Sequence, residues 1–136
     1  MKKNISSLEK KHFPVMLNEV IQACLPINKN HLIVDCTFGG GGYSKKLLEL
    51  ARVKVIALDR DKSAISRAKK LKKDFPTQFT FYNEKFSNLE RVIKKEKKAD
   101  TIIFDLGLST FQLQDYSRGF SFKSNERIDM QMGLSD

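Results

Sequence analysis

The chain has 136 residues, 40% of them hydrophobic and ten of them Phe, with no Trp; that is enough to bury one core but not two, and it excludes a disordered chain. No apolar stretch reaches the roughly 18 residues needed to span a bilayer, and residues 1–11 carry charge without an apolar run, so neither a membrane span nor a secretory signal is predicted and a cytoplasmic protein is expected. The net charge of +9 points towards polyanions, although 19 of the 25 basic residues are Lys, paired at 69–70, 72–73, 94–95 and 97–98 where a helix would present a solvated face.

Residues 1–11 read as a polar, flexible leader, with the folded domain spanning 12–136. Met16, Val20, Ala23 and Cys24 fall at helical spacing and Pro26 closes that run. Leu32–Cys36 is a short continuous apolar run, the pattern of a strand covered on both faces. After Gly39–Gly42, the residues Tyr43, Leu47, Leu50 and Ala51 mark one face of a helix. Val53–Leu58 is the next strand; Ala64, Ile65, Ala68 and Leu71 belong to the helix after it, which ends before Pro76. Phe79–Phe81 reads as a third strand. Ser87 and Glu90 have capping-box spacing and open a helix whose apolar stripe is Leu89, Val92 and Ile93. Thr101–Phe104 is the fourth strand.

Strands alternating with helices over short connections predict an α/β fold with a doubly wound, mostly parallel sheet and right-handed crossovers. From Leu106 onward periodicity disappears, and that length of chain without regular structure reads both as a functional loop region and as a stretch whose covering elements lie beyond this chain. Cys24 and Cys36 read as two buried thiols. Together with His12 and His31 they offer no metal-ligand spacing, so no metal site is predicted.

Three apolar runs end in an acid: Asp35, Asp59 and Asp105. In a parallel sheet these carboxylates share the edge at which open α/β folds bind ligands. Glycines at 39–42 let backbone approach a ligand closely, and an acid about 20 residues further on, here Asp59, is where nucleotide-type folds hold a ribose diol. No Gly-Lys-Ser/Thr follows the glycines, so a triphosphate site is not predicted. A carboxylate at Asp35, just before the turn, would repel a pyrophosphate and favour a ligand carrying positive charge there. S-adenosylmethionine carries an ammonium and a sulfonium, and it keeps a ribose for Asp59. Phe86, beyond the third strand, fits two roles equally: a stacking surface for an adenine ring, or the hydrophobic residue preceding a Ser87 cap. Asp105-Leu106-Gly107-Leu108-Ser109-Thr110 combines an acid, a glycine and two hydroxyls, acceptors suited to holding the N–H bonds of an amine so that its lone pair faces a methyl donor. Phe111, Tyr116, Arg118, Phe120, Phe122, Lys123 and Arg127 suit either base stacking with phosphate contact or capping of the core.

Taken together, these blocks resemble the bacterial methyltransferases that modify N4 of a cytidine in small-subunit ribosomal RNA, the RsmH family, formerly MraW. The resemblance runs from His12-Phe13-Pro14-Val15-Met16-Leu17 through Asp35–Ser44, Ala57–Asp61 and Phe104–Ser109 to Arg118–Phe122 and Ile128–Met132. It implies a Rossmann-like class I fold, S-adenosyl-L-methionine as cofactor and ribosomal RNA in the small subunit as partner. Mapped by motif, it implies cofactor contacts at Gly41, Gly42, Tyr43, Asp59, Phe86, Asp105 and Gln112. It also implies that a helical insertion and the last strands of the sheet lie beyond this chain. Four positions depart from the family pattern: Gly40 replaces an Arg, Tyr43 a His, and Thr110-Phe111 a Ser-Pro. No residue stands out as a general base, and an amine nucleophile needs only positioning and proton loss to water. Two other readings keep the same fold: a nicotinamide-dependent oxidoreductase half-domain, and a non-catalytic RNA-binding remnant. The sequence leaves the oligomeric state open, a homodimer included.

Overall fold

The computed structural model describes residues 14–26, 31–94 and 98–133. The expected leader, residues 1–11, lies outside the described residues. Four parallel strands, β1 (Leu32–Asp35), β2 (Lys54–Leu58), β3 (Phe79–Tyr82) and β4 (Thr101–Ile103), form one sheet in the order β3-β2-β1-β4. The helices are α1 (Leu17–Ala23), α2 (Gly42–Leu50), α3 (Ala64–Asp74), α4 (Leu89–Ile93) and α5 (Thr110–Gln114). The α/β reading is therefore borne out, with each predicted strand found within a residue or two of its expected ends.

The layering follows from the strand order. Moving from β1 to β2 to β3 takes the chain one way across the sheet, and crossovers of one hand then place α2 and α3 on the same face. Both pack there with α1 on Ile33, Val55, Ala57 and Phe79. The step from β3 back past β2 and β1 to β4 reverses direction, so α4 lies on the other face, where Leu89, Val92 and Ile93 cover Leu32, Val34, Ile56 and Leu58. Covered from both sides, β1 is buried along its whole length, which is why it reads as a continuous apolar run rather than an alternating one.

Two local expectations are corrected. The inward face of α2 is Tyr43, Ser44, Leu47 and Leu48; of the expected Tyr43, Leu47, Leu50 and Ala51, Leu50 is the one that faces out, while Ala51 packs partly buried on the core. Asp35 draws Ser44 inward through a 2.6 Å hydrogen bond, while Ala51 is extended and ends the helix, leaving Leu50 exposed. The capping box at Ser87 and Glu90 does not form: Phe86–Asn88 makes a 3-10 turn, which puts Ser87 inside a helical turn instead of at an extended cap. The Asn88 side chain turns to Glu84 at 3.1 Å, and no side chain caps α4. A capping box does exist at Ser109 and Gln112, opening α5 in the stretch where only loop is expected.

Candidate cofactor-binding site

The site grows from the turn that follows β1. Phe38 donates its N–H to the Leu58 carbonyl at 3.0 Å, and its ring is buried against Phe79 and Phe81. That ring forms the floor on which the glycines sit. Gly41 caps α2 at φ +77°, and a Cβ there would lie 2.7 Å from the Phe38 ring. Gly42 has Pro14 pressed against it, so close that a Cβ would stand 2.2 Å from the proline Cγ.

At the end of β2, both oxygens of Asp59 accept backbone N–H groups, from Gly39 at 2.7 Å and from Asp61 at 2.8 Å. Burial raises the Asp59 pKa above the ordinary carboxylate value, and these two N–H groups oppose the rise. The Asp59 carbonyl accepts from the Asn83 amide at 2.8 Å and from the Glu84 N–H at 3.1 Å, tying the exit of β3 to that of β2. Phe86 follows, 46% exposed and edge-on to Phe104 at 5.5 Å. Ser87 is not a cap, so Phe86 does not precede one, and Phe86 lines the cavity.

Beyond β4, the Asp105 N–H donates to Thr37 Oγ1 at 2.7 Å, which locks the exit of β4 to that of β1. The Tyr43 hydroxyl lies against the Val15 carbonyl and 3.3 Å from Asp105 Oδ2. Burial, and then the Asp105 charge, push the Tyr43 phenol up to about 12, so it stays a donor at any physiological pH. Gln112 is buried on α5, donating its amide to Asp61 at 2.9 Å and accepting from the Ser109 N–H at 2.8 Å.

These exits enclose a cavity of about 540 Å³. Gly42, Tyr43, Asp59, Phe86, Asp105 and Gln112 all line it, and Gly41 lies buried behind the glycine turn. Sequence reasoning gave no role to Arg67, Asp61 or Met132, which also line it. Arg67 donates Nε to the Gly39 carbonyl at 2.9 Å and places its guanidinium 4.3 Å from the Phe111 ring centroid. The spacing of α3 carried a signal for it, because Arg67 adjoins the buried Ala64–Ala68 stripe. The aromatic-basic segment divides between its two readings: Phe111 and Arg118 are anchored inward, whereas Tyr116, Phe122, Lys123 and Arg127 are exposed.

Asp35 departs from expectation. Instead of lining the ligand edge it is wholly buried, accepting from Ser44 Oγ at 2.6 Å and from the Thr37 N–H at 3.3 Å. The strand-end carboxylates that do line the cavity are those of Asp59 and Asp105. Burial pushes Asp35 up to about 6 from 3.8. The native state therefore holds a proton that the unfolded chain has released, and this group's contribution to stability falls as pH rises from about 4 to about 6. Relative to the wild type, Asp35→Asn is expected to gain about 2–3 kcal/mol across that window and to run parallel above it; urea titrations at pH 4, 5, 6 and 7 measure the difference.

Among the described residues, no helix is long and apolar enough to cross a membrane. No group of three or more His, Cys, Asp or Glu among them is placed to hold a metal ion.

Comparison with known proteins gives a consistent picture. The model of the MraW methylase family matches residues 9–136. Curated relatives include ribosomal RNA small subunit methyltransferase H of Orientia tsutsugamushi (strain Ikeda), 42% identical over 89% of this chain and 38% of the relative. The proteins of the same name from Rickettsia canadensis (strain McKiel) and Rhodospirillum rubrum are each 45% identical, over 94% and 90% of this chain and 42% and 38% of their own lengths. The chain thus spans about two fifths of these relatives. Among solved structures, an rRNA methylase from Streptococcus thermophilus superposes with a TM-score of 0.53 at 22% identity, over 62% of this chain and 49% of that one. That likeness concerns the fold.

Proposed function

Because the chain belongs to the MraW methylase family, we propose that it is the cofactor-binding part of an S-adenosylmethionine-dependent methyltransferase acting on N4 of a cytidine in small-subunit ribosomal RNA, in the cytoplasm. The observation that carries this reading is the pair of carboxylates, Asp59 and Asp105, which line one cavity from the exits of β2 and β4, the strands that flank β1 and its glycine turn. A nucleoside that bears positive charge at its far end matches that arrangement: a diol for Asp59, a cation for Asp105. A dinucleotide would bring its diphosphate close to Asp105, and repulsion across about 5 Å from this exposed carboxylate costs on the order of 1–3 kcal/mol.

In this reading Asp59 holds the ribose hydroxyls and the exposed face of Phe86 carries the adenine. Gly41, Gly42 and Tyr43 shape the methionine end, where the missing Cβ of Gly42 lets Pro14 close over the α2 start. Asp105 and Gln112 stand near the transferring methyl. The cofactor supplies an electrophilic methyl group. What this chain adds is placement: Asp105 and the loop to Ser109 offer acceptors for the N–H bonds of an incoming amine, which turns its lone pair toward the donor. Gly40 in place of an arginine leaves the turn without a charged side chain, so Arg67, bonded to the neighbouring Gly39 carbonyl, is the guanidinium at that turn.

Calorimetry tests the reading. S-adenosylhomocysteine is expected to bind in the micromolar range, near −8 kcal/mol or somewhat weaker, with NADH at least about 100-fold weaker. NADH binding without S-adenosylhomocysteine binding would establish the oxidoreductase alternative. Binding of neither, with steeply salt-dependent RNA binding, would establish the non-catalytic one. The acceptor is tested by incubating the chain with methyl donor and small subunits lacking the modification, then locating any methylcytidine by mass spectrometry.

A further inference from the structure

Asp61 has no place among the residues assigned to the ligand, yet its carboxylate is buried and fully engaged. One oxygen accepts from the Ser63 N–H at 2.9 Å. The other accepts from the Gln112 amide at 2.9 Å and from Arg118 Nη1 at 2.7 Å. Burial alone would raise its pKa, but the Arg118, Gln112 and Ser63 donors outweigh it and hold the carboxyl below its ordinary value. Through its main chain, the same residue donates the N–H that fixes Asp59 Oδ1.

The partners of Asp61 belong to one stretch of chain. Gln112 is held at both ends, by Asp61 and by the Ser109 N–H. Arg118 extends a second nitrogen to the Gln131 carbonyl at 3.4 Å and covers the Phe120 ring at 5.1 Å. Gly119, at φ +69°, lets the Arg127 carbonyl come within 2.2 Å of where a Cβ would stand. Gly133 comes similarly close to the Arg60 carbonyl, and Met132 beside it lines the cavity. Residues 109–133 are thereby fastened to the turn at 59–63 that carries the ligand's carboxylate.

We propose that Asp61 is a positioning residue of the cofactor site: its backbone fixes the Asp59 carboxylate while its side chain fixes Gln112 and Arg118, so that binding of a nucleoside at Asp59 and docking of residues 109–133 are one coupled event. This rests on reading the cavity as the S-adenosylmethionine site. The coupling is reciprocal: whatever factor the docked segment adds to ligand affinity, the ligand adds to docking.

Hydrogen exchange read by mass spectrometry, with and without S-adenosylhomocysteine, tests it. In the wild type the ligand is expected to slow exchange about tenfold over 109–133 as well as over 54–61. Arg118→Ala removes the partner and leaves Asp61 in place. It is expected to bind the ligand about tenfold more weakly, to lose the ligand-dependent slowing over 109–133, and to keep the slowing over 54–61. Arg118→Lys restores a cation to Asp61 and is expected to recover part of both effects; Asp61→Asn, if folded, repeats the Ala result. Slowing confined to 54–61 in the wild type, or Arg118→Ala indistinguishable from it, overturns the coupling and leaves the cofactor reading standing. Absence of ligand binding in the wild type overturns both.

Discussion

Asp59→Ala is expected to weaken S-adenosylhomocysteine binding by at least about 100-fold, measured by calorimetry. A hydrogen bond to a charged acceptor contributes about 1.5–3 kcal/mol, and a ribose diol offers two donors to one carboxylate. The substitution also strips the acceptor from two backbone N–H groups, those of Gly39 and Asp61. Each loss costs about 1–3 kcal/mol if the group stays buried. Part of that is offset, because burial makes the ionised Asp59 itself unfavourable. The melting temperature should therefore fall by less than two lost hydrogen bonds suggest, while affinity falls by the full amount. An Asp59→Ala protein that is folded and binds the ligand normally would remove the ribose role.

Gly41→Ala has the second large effect, and it acts on the scaffold. A residue with a Cβ at φ +77° carries about 1–2 kcal/mol of strain. Here the added carbon also lies 2.7 Å from a phenylalanine ring that cannot retreat, since Phe38 is packed against Phe79 at 5.7 Å and Phe81 at 5.3 Å. Overpacking of this kind adds about 1–3 kcal/mol, and a melting temperature lower by about 10 °C or more is expected. Gly42→Ala is the informative comparison. Its new Cβ meets Pro14 at the rim, a contact made by a short segment outside the sheet. Thermal melts should place Gly41→Ala well below Gly42→Ala, and equal melts would mean that the ring under the turn yields.

The parts of this structure legible in the sequence are those set by periodicity and by covalent neighbours. Four apolar runs give four strands because each strand is short and covered, and the glycines and Asp59 announce their site because their separation is a property of one β-α-β unit. Phe86 suits two roles in the sequence, and the 3-10 turn over Phe86–Asn88 removes the Ser87 cap that one of them requires. Capping-box spacing occurs at both Ser87/Glu90 and Ser109/Gln112, and only the second forms, because Ser109 is extended whereas Ser87 lies inside the 3-10 turn. Asp35 shares the strand-end position of Asp59, and the inward path of α2, which brings Ser44 onto Asp35, separates a buried structural acid from a cavity-lining one. The role of Asp61 was beyond reach, since its partners Gln112 and Arg118 lie 51 and 57 residues away along the chain.

The order in which β4 joins the sheet bears on how the cavity comes into being. The bond from Gly39 to Asp59 closes a loop of 20 residues, whereas that from Asp105 to Thr37 closes one of 68. Longer loops forfeit more chain entropy before any contact compensates them. Chain connectivity thus favours early assembly of the Asp59 side of the cavity from near neighbours, and late arrival of the Asp105 wall.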